Sequence, residues 1–250
     1  MEYISGLKNP KVMLWRSLKE RKGRRESGLF LVEGDKMVLE ALCSGFSVEA
    51  VLIREDRRDE KLNIPDGIPV YILAVPVFDS VSDAKTPQGI AAVLKMADLS
   101  VSGHRLLALD EVQDPGNVGT IVRTADAAGF DGILLSQNCA DMFSPKVLRA
   151  TMGSIYRMPF RIVSSLPDEL RQLRESGYSV LSSQLDGEPF YERKNVSENF
   201  VLIIGNEGNG ISEPVRAEAT HRLKLPMRGG AESLNAAIAA AIMMYDLTRE

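Results

Sequence analysis

Short apolar runs, each about the length of a strand, punctuate the chain and alternate with stretches whose apolar positions recur at helical spacing. In the first part of the chain this pattern predicts a helix from Pro10 to Lys22, a strand at Leu29 to Glu33, a helix from Asp35 to Ser44 and a strand at Val48 to Arg54. Further short apolar runs stand at Val70 to Leu73 and Ile90 to Leu94. The polar interval Lys95 to Arg105, with Asp98, Ser100, Ser102 and Gly103, reads as a linker. From Leu106 the alternation becomes regular. Strand-length runs fall at Leu106–Leu109, Gly132–Leu135, Phe160–Val163, Tyr178–Ser182, Phe200–Ile204 and Arg222–Leu225. Runs this apolar suit strands buried on both faces, so the expected fold is α/β, with a mainly parallel sheet covered by helices. The expected domains are residues 1–97, a small α/β unit, and residues 104–250. Ligands of parallel sheets gather at the carboxyl ends of the strands, which directs attention to the loops that follow them.

Composition narrows the chemistry. With 44% hydrophobic and 26% charged residues, the 250-residue chain has material for a sizeable core and an ordinary globular surface. Its opening lacks the apolar run of a secretory signal. The longest apolar stretch, Ala236 to Tyr245, is too short to cross a bilayer. A cytoplasmic location without membrane attachment is expected. Two cysteines, Cys43 and Cys139, and two histidines, His104 and His221, stand at no metal-ligand spacing, so no metal and no Cys/His nucleophile is expected. The net charge of −4 argues against a nucleic-acid partner, but its distribution argues the other way. Between Lys8 and Arg25 lie Lys8, Lys11, Arg16, Lys19, Arg21, Lys22, Arg24 and Arg25, offset only by Glu20. Such a cluster is either a phosphate-binding surface, rewarded by counterion release, or the solvated face of a helix.

Three loops carry candidate chemistry. The first follows the Leu106–Leu109 strand and reads Asp110-Glu111-Val112-Gln113-Asp114-Pro115-Gly116-Asn117, with Asn117 as a candidate N-cap. In the ensuing helix Val118, Ile121, Val122 and Ala125 form the apolar stripe, and Arg123 falls off it. A helix amino terminus with an arginine farther along can hold an anion, or can be a plain capped helix with an exposed Arg. The second loop, Gly205-Asn206-Glu207-Gly208-Asn209-Gly210-Ile211-Ser212, has a backbone able to lie close against a ligand. Its glycine spacing matches a phosphate-binding Walker loop, but Ile211 replaces the required lysine. The third, Leu225-Pro226-Met227-Arg228-Gly229-Gly230-Ala231-Glu232-Ser233-Leu234-Asn235, leads into a helix apolar on nearly every side, which should be buried, a partner subunit being one means. Ser233 and Asn235 can cap that helix or bind a ligand.

Taken in this order, the three loops resemble the three motifs of the SpoU (TrmH) family of RNA methyltransferases, within the SPOUT superfamily. The match runs from Leu106 to the end of the chain: Asn117 and Arg123 fall on the first motif, Gly205, Glu207 and Gly210 on the second, and Ser233-Leu234-Asn235 on the third. Phe30-Leu31-Val32-Glu33-Gly34 and Thr86-Pro87-Gln88-Gly89 are similar to pieces of the RNA-binding domain that many members carry in front. Ala236-Ala237 departs from the Val-Ser that commonly follows the third motif. The resemblance implies a carboxyl-terminal trefoil knot, a homodimer and transfer of a methyl group from S-adenosylmethionine to a ribose 2′-hydroxyl in structured RNA, ribosomal (23S-type) RNA in the first place. It assigns Ser183, Gly205, Leu225, Met227 and Leu234 to the cofactor, and Asn117, Arg123, Glu207, Ser233 and Asn235 to catalysis. Arg123 stays protonated in proteins, so its expected role is to hold phosphate and the developing alkoxide. Lys11, Arg16, Lys22, Arg24 and Arg25 are the expected RNA contacts. Two rivals remain at this point: a non-catalytic RNA-binding or ribosome-assembly protein on the same scaffold, and a nucleotide-phosphate enzyme using the glycine loop.

Overall fold

A computed structural model of the chain describes residues 1–60, 62–97 and 100–249. It divides into two compact units, Met1–Ala97 with Asp141–Tyr156, and Asp98–Ala140 with Arg157–Glu250. Asp98 of the expected linker lies outside the described residues.

In the first unit, β1 (Glu2–Ile4), α1 (Pro10–Ser17), α2 (Arg21–Ser27), β2 (Leu29–Glu33), α3 (Asp35–Leu42), β3 (Val48–Arg54), β4 (Val70–Leu73), α4 (Val75–Val81) and β5 (Ile90–Lys95) follow in order. Their sheet runs β1-β4-β3-β5-β2; β4 is parallel to β1 and β3, and β5 is antiparallel to β3 and β2. Val12, Trp15, Leu52, Phe78 and Val93 meet in the core beneath it.

The single helix expected over Pro10 to Lys22 is two helices. Asn9 caps α1 by accepting from the Lys11 amide, with Pro10 pre-set in the first turn. At the far end, the Arg24 guanidinium donates to the carbonyls of Leu18 (2.7 Å) and Lys19 (2.8 Å), groups that an uninterrupted helix would have satisfied itself. The same guanidinium pairs with Asp141 at 2.6 Å. At 3% exposure Arg24 holds a corner together, so its assignment as an RNA contact is corrected.

In the second unit, β6 (Arg105–Leu109), α5 (Pro115–Ala127), β7 (Gly132–Leu135), β8 (Phe160–Ile162), α7 (Leu166–Glu175), β9 (Ser179–Pro189), β10 (Phe200–Ile204), α8 (Glu213–Arg216), β11 (His221–Lys224) and α9 (Ala236–Leu247) form a doubly covered sheet, while α6 (Pro145–Thr151) packs with the first unit. Its six strands, in the order β11-β9-β10-β6-β7-β8, are all parallel. Parallel pairing buries both faces, and Leu107, Leu202 and Ile203 are fully buried.

Asp141–Tyr156 clusters with the first unit because Asp141 meets Arg24, the Phe143 ring lies 4.7 Å from Phe30, and the Tyr156 hydroxyl donates to the Met37 carbonyl. On α9, Ala237, Ala240, Met243 and Met244 are buried, but Ile238 (52%) and Tyr245 (55%) are exposed. The all-round burial expected of this helix is met on one side only within the chain.

Candidate active site

Sheet register brings the first two loops together. Ile204 at the end of β10 stands opposite Leu109 at the end of β6, so Asp110 and Gly205 leave the sheet side by side. Asp110 is buried, and its carboxylate accepts from the Ser212 amide at 2.7 Å, tying the far end of the glycine loop to the β6 edge. Glycine is required at 205: a Cβ there would lie 2.3 Å from the Gly210 carbonyl carbon and 2.4 Å from the Ile211 nitrogen. Asn206 fastens the two loops again. Its amide nitrogen donates to the Glu111 carbonyl at 2.8 Å, and its oxygen accepts from the Gly208 and Asn209 amides. Glu111 itself has a φ of 55°, a left-handed conformation costly for a side chain and held by the surrounding hydrogen bonds.

The helix cap differs from expectation. Asp114, followed by Pro115, is the N-cap of α5 and accepts from the Asn117 amide at 2.8 Å. That leaves the Asn117 side chain free to bridge. Its nitrogen donates to Glu207 at 2.9 Å, and its oxygen accepts from the Asn235 side chain at 2.9 Å. Glu207 also receives the amides of Asp114 (3.0 Å) and Gln113 (3.1 Å). Burial pushes the Glu207 carboxyl up, but the bonds from Asn117 and the backbone outweigh it, so the net position lies below its ordinary value. Asn235 keeps its capping role at the same time, its oxygen accepting from Ala237 and Ile238. Glu207, Asn117 and Asn235, one from each loop, thus form a continuous hydrogen-bonded junction.

Beside this junction, at the middle of β9 and the carboxyl end of β10, lies a cavity of ≈ 490 Å³, within the ordinary range for a small-molecule ligand. Ser183, Gly205, Leu225, Met227, Leu234 and Ser233 are all on its wall, together with Glu207. Leucine and methionine side chains suit the faces of a purine. A nucleoside-bearing cofactor therefore fits this wall, which Leu225, Met227 and Leu234 make apolar and Ser183 and Ser233 make polar. Ser233 lines the cavity and makes no hydrogen bond among the described residues. Arg123 stands apart: it is exposed on α5, with no ion pair among the described residues, and it is not on the cavity wall.

Of the expected RNA contacts in the first unit, Arg16, Lys22 and Arg25 are exposed. Lys22 lies 3.8 Å from Glu26, and Lys11 pairs with Glu2 while sitting over the Tyr71 ring. Asn206 and Asp110 escaped the sequence reading. Only Asn206 carried a signal, as the polar residue inside the glycine loop.

Comparison with known proteins identifies the family. Residues 104–245 match the SpoU rRNA Methylase family, and residues 9–92 match the MRM3-like substrate binding domain. The chain is 39% identical over 248 residues, 99% of each chain, to the 23S rRNA (guanosine(2553)-2′-O)-methyltransferase RlmP of Bacillus subtilis (strain 168). Among solved structures, the AdoMet-bound rRNA methyltransferase from Sinorhizobium meliloti is similar with a TM-score of 0.87 and 32% identity, covering 99% of this chain and 97% of that one. The SpoU methyltransferase AviRb from Streptomyces viridochromogenes, in complex with AdoMet, has a TM-score of 0.85 and 27% identity, covering 97% and 98%. The chain belongs to the SpoU rRNA Methylase family and is an S-adenosylmethionine-dependent RNA methyltransferase.

Proposed function

We propose that this enzyme methylates a ribose 2′-hydroxyl in large-subunit ribosomal RNA, with the cofactor in the cavity beside the Glu207–Asn117–Asn235 junction. That junction carries the reading, because it joins three segments distant in sequence at one small-molecule cavity. The relative RlmP is named for such a reaction on 23S rRNA, and the match of residues 9–92 to a substrate binding domain supports a large RNA substrate.

When bound, S-adenosylmethionine supplies a methyl group on a sulfonium, already a good leaving group. The protein's share is alignment and proton management. Ser183, Gly205, Leu225, Met227 and Leu234 hold the cofactor. Asn117 and Glu207 fix the α5 amino terminus against the glycine loop, Asn235 keeps the third loop in place, and Ser233 faces the cavity, where it bonds the ligand. Arg123, permanently cationic, holds the RNA phosphate and stabilises the alkoxide that develops on the ribose. Arg16, Lys22 and Arg25 supply the electrostatic contact to the RNA backbone.

The working form is a homodimer with a trefoil knot at its carboxyl end. Two features favour the dimer: the exposed apolar side of α9, with Ile238 and Tyr245, and the position of Arg123 away from its own cavity wall. Pairing through α9 lets Arg123 of one copy serve the cavity of the other. Among the described residues, no helix is long and apolar enough to cross a membrane, and no group of His, Cys, Asp and Glu is placed to hold a metal.

Calorimetry with S-adenosylmethionine, paired with a methyl-transfer assay on ribosomal RNA, tests the proposal. Arg123→Ala is expected to abolish turnover while leaving cofactor affinity nearly unchanged. Wild-type turnover in that variant would refute the assignment.

A further inference from the structure

α1 is apolar on two sides. Val12 and Trp15 fill the core of the first unit, the use a surface helix normally makes of its one apolar face. The opposite face should be polar. Instead Pro10, Met13 and Leu14 stand there at helical spacing, all exposed, Met13 to 59%. Ser17 ends this stripe, its hydroxyl turned back to donate to the Leu14 carbonyl at 2.7 Å. Against that end runs α2: a Cβ on Gly23 would lie 2.2 Å from the Ser17 carbonyl oxygen, so glycine is what allows the two backbones to meet.

Cations surround the stripe. Arg16 follows Met13 by three residues and so neighbours it on α1, while Arg21 and Arg25, four apart, share one side of α2. All three are exposed and make no ion pair among the described residues. Other arginines of the same unit do hold acids: Arg54 pairs with Asp56 at 2.7 Å, Arg57 with Asp35 at 2.8 Å and Arg149 with Asp83 at 3.0 Å. An apolar centre ringed by unmet cations calls for a partner that is anionic along its backbone and apolar between its charges. Single-stranded RNA has both properties, whereas a duplex keeps its base faces stacked inside. A second copy of the chain is disfavoured, since a two-fold contact would set this face against itself, cation to cation. An anionic lipid surface would answer the charges, but the enzyme acts on RNA, and two side chains on an eight-residue helix bury too little for stable membrane binding.

We propose that the α1–α2 face docks an unpaired stretch of the substrate RNA, with base faces lying on Met13 and Leu14 while Arg16, Arg21 and Arg25 hold the flanking phosphates. It rests on the backbone contacts proposed for Arg16 and Arg25 and adds the class of RNA they meet: a loop, bulge or end in place of a continuous duplex. The same face thereby divides its work, the arginines setting how binding depends on salt and the apolar stripe setting the preference for unstacked bases.

The test is a fluorescence-anisotropy titration of the full chain with a short unstructured RNA and with the duplex that RNA forms with its complement, each over a range of salt. Wild type is expected to prefer the single strand. Met13→Ser combined with Leu14→Ser should weaken single-strand binding by about tenfold, leave duplex binding within about twofold, and leave the salt slope unchanged. Met13→Ser alone should act in the same direction and serves if the double variant loses stability; Met13→Leu should keep the preference. Arg16→Ala should instead lower the salt slope by about one for both RNAs. Unchanged single-strand affinity in the serine variants overturns the proposal, as does an equal loss for strand and duplex. So does retained RNA binding alongside lost binding to phosphatidylserine vesicles, which would assign the face to a membrane. Methyl transfer to ribosomal RNA is read separately: its absence in wild type would refute the proposed function, whichever oligonucleotide the face prefers.

Discussion

Replacing Asn117 by aspartate changes one nitrogen to oxygen and is a sharp probe of the junction. In the native chain the Asn117 amide donates to Glu207 at 2.9 Å. In Asn117→Asp two carboxylates face each other at that separation, and a stabilising bond becomes a repulsion. At 2.9 Å the Coulomb term is about 6 kcal/mol for an effective dielectric of 20 and about 1.4 kcal/mol in bulk water. Glu207 is partly open to solvent, so the lower part of that range applies, and a net loss of about 2–3 kcal/mol is expected. That corresponds to a fall in melting temperature of about 5–10 °C for a chain of this size. The sign of the pH dependence follows from proton sharing. Like charges raise one of the two carboxyl pKa values in the folded state, so the penalty is largest at about pH 8 and shrinks towards about pH 5, as one shared proton restores a donor. Wild type carries no such dependence from Glu207, whose carboxyl lies below its ordinary value and stays ionised through that window. Thermal unfolding of both proteins across the window, with cofactor affinity in parallel, is the assay. A deficit in Asn117→Asp that does not change with pH, or no deficit, would refute the contact.

Further expectations follow from other parts of the molecule. Arg24→Ala should cost about 3–5 kcal/mol by orphaning Asp141 and the Leu18 and Lys19 carbonyls. By contrast, Arg25→Ala should stay within about 0.5 kcal/mol of wild-type stability and lower the salt slope of RNA binding by about one; denaturant melts and binding titrations check both. Gly205→Ala places a methyl 2.3 Å from backbone, so the loop must shift by about 1 Å and turnover should fall about a hundredfold, read by initial rates. Ile238→Glu puts a charge on the exposed side of α9 and should yield monomers by sedimentation; an intact dimer would exclude that face as the interface.

The strands were the most legible part of the sequence. β7 and β10 coincide with the apolar runs that predicted them, because a strand buried on both faces leaves a nearly unbroken signature. β1, only three residues long, leaves none. The break between α1 and α2 depends on Arg24 reaching back to two carbonyls and across to Asp141, a long-range partner that helical periodicity does not register. For the same reason the packing of Asp141–Tyr156 with the first unit leaves no trace in the sequence pattern. The cap of α5 was readable and was misread: proline favours the first helical position, so Pro115 marks Asp114 as the cap. Within the site, loop composition pointed to Asn117, Glu207 and Asn235, while the tie from the Ser212 amide to Asp110 was invisible, since it joins positions 102 apart in the chain.

The measurement closest to the central claim is a map of 2′-O-methylated riboses in ribosomal RNA from cells with and without this protein, repeated with the purified enzyme, S-adenosylmethionine and unmethylated RNA. The account predicts that one ribose in the large-subunit RNA loses its methyl group in the deletion and regains it in the reconstituted reaction. Identical maps, together with no methyl transfer by the purified enzyme, would contradict it.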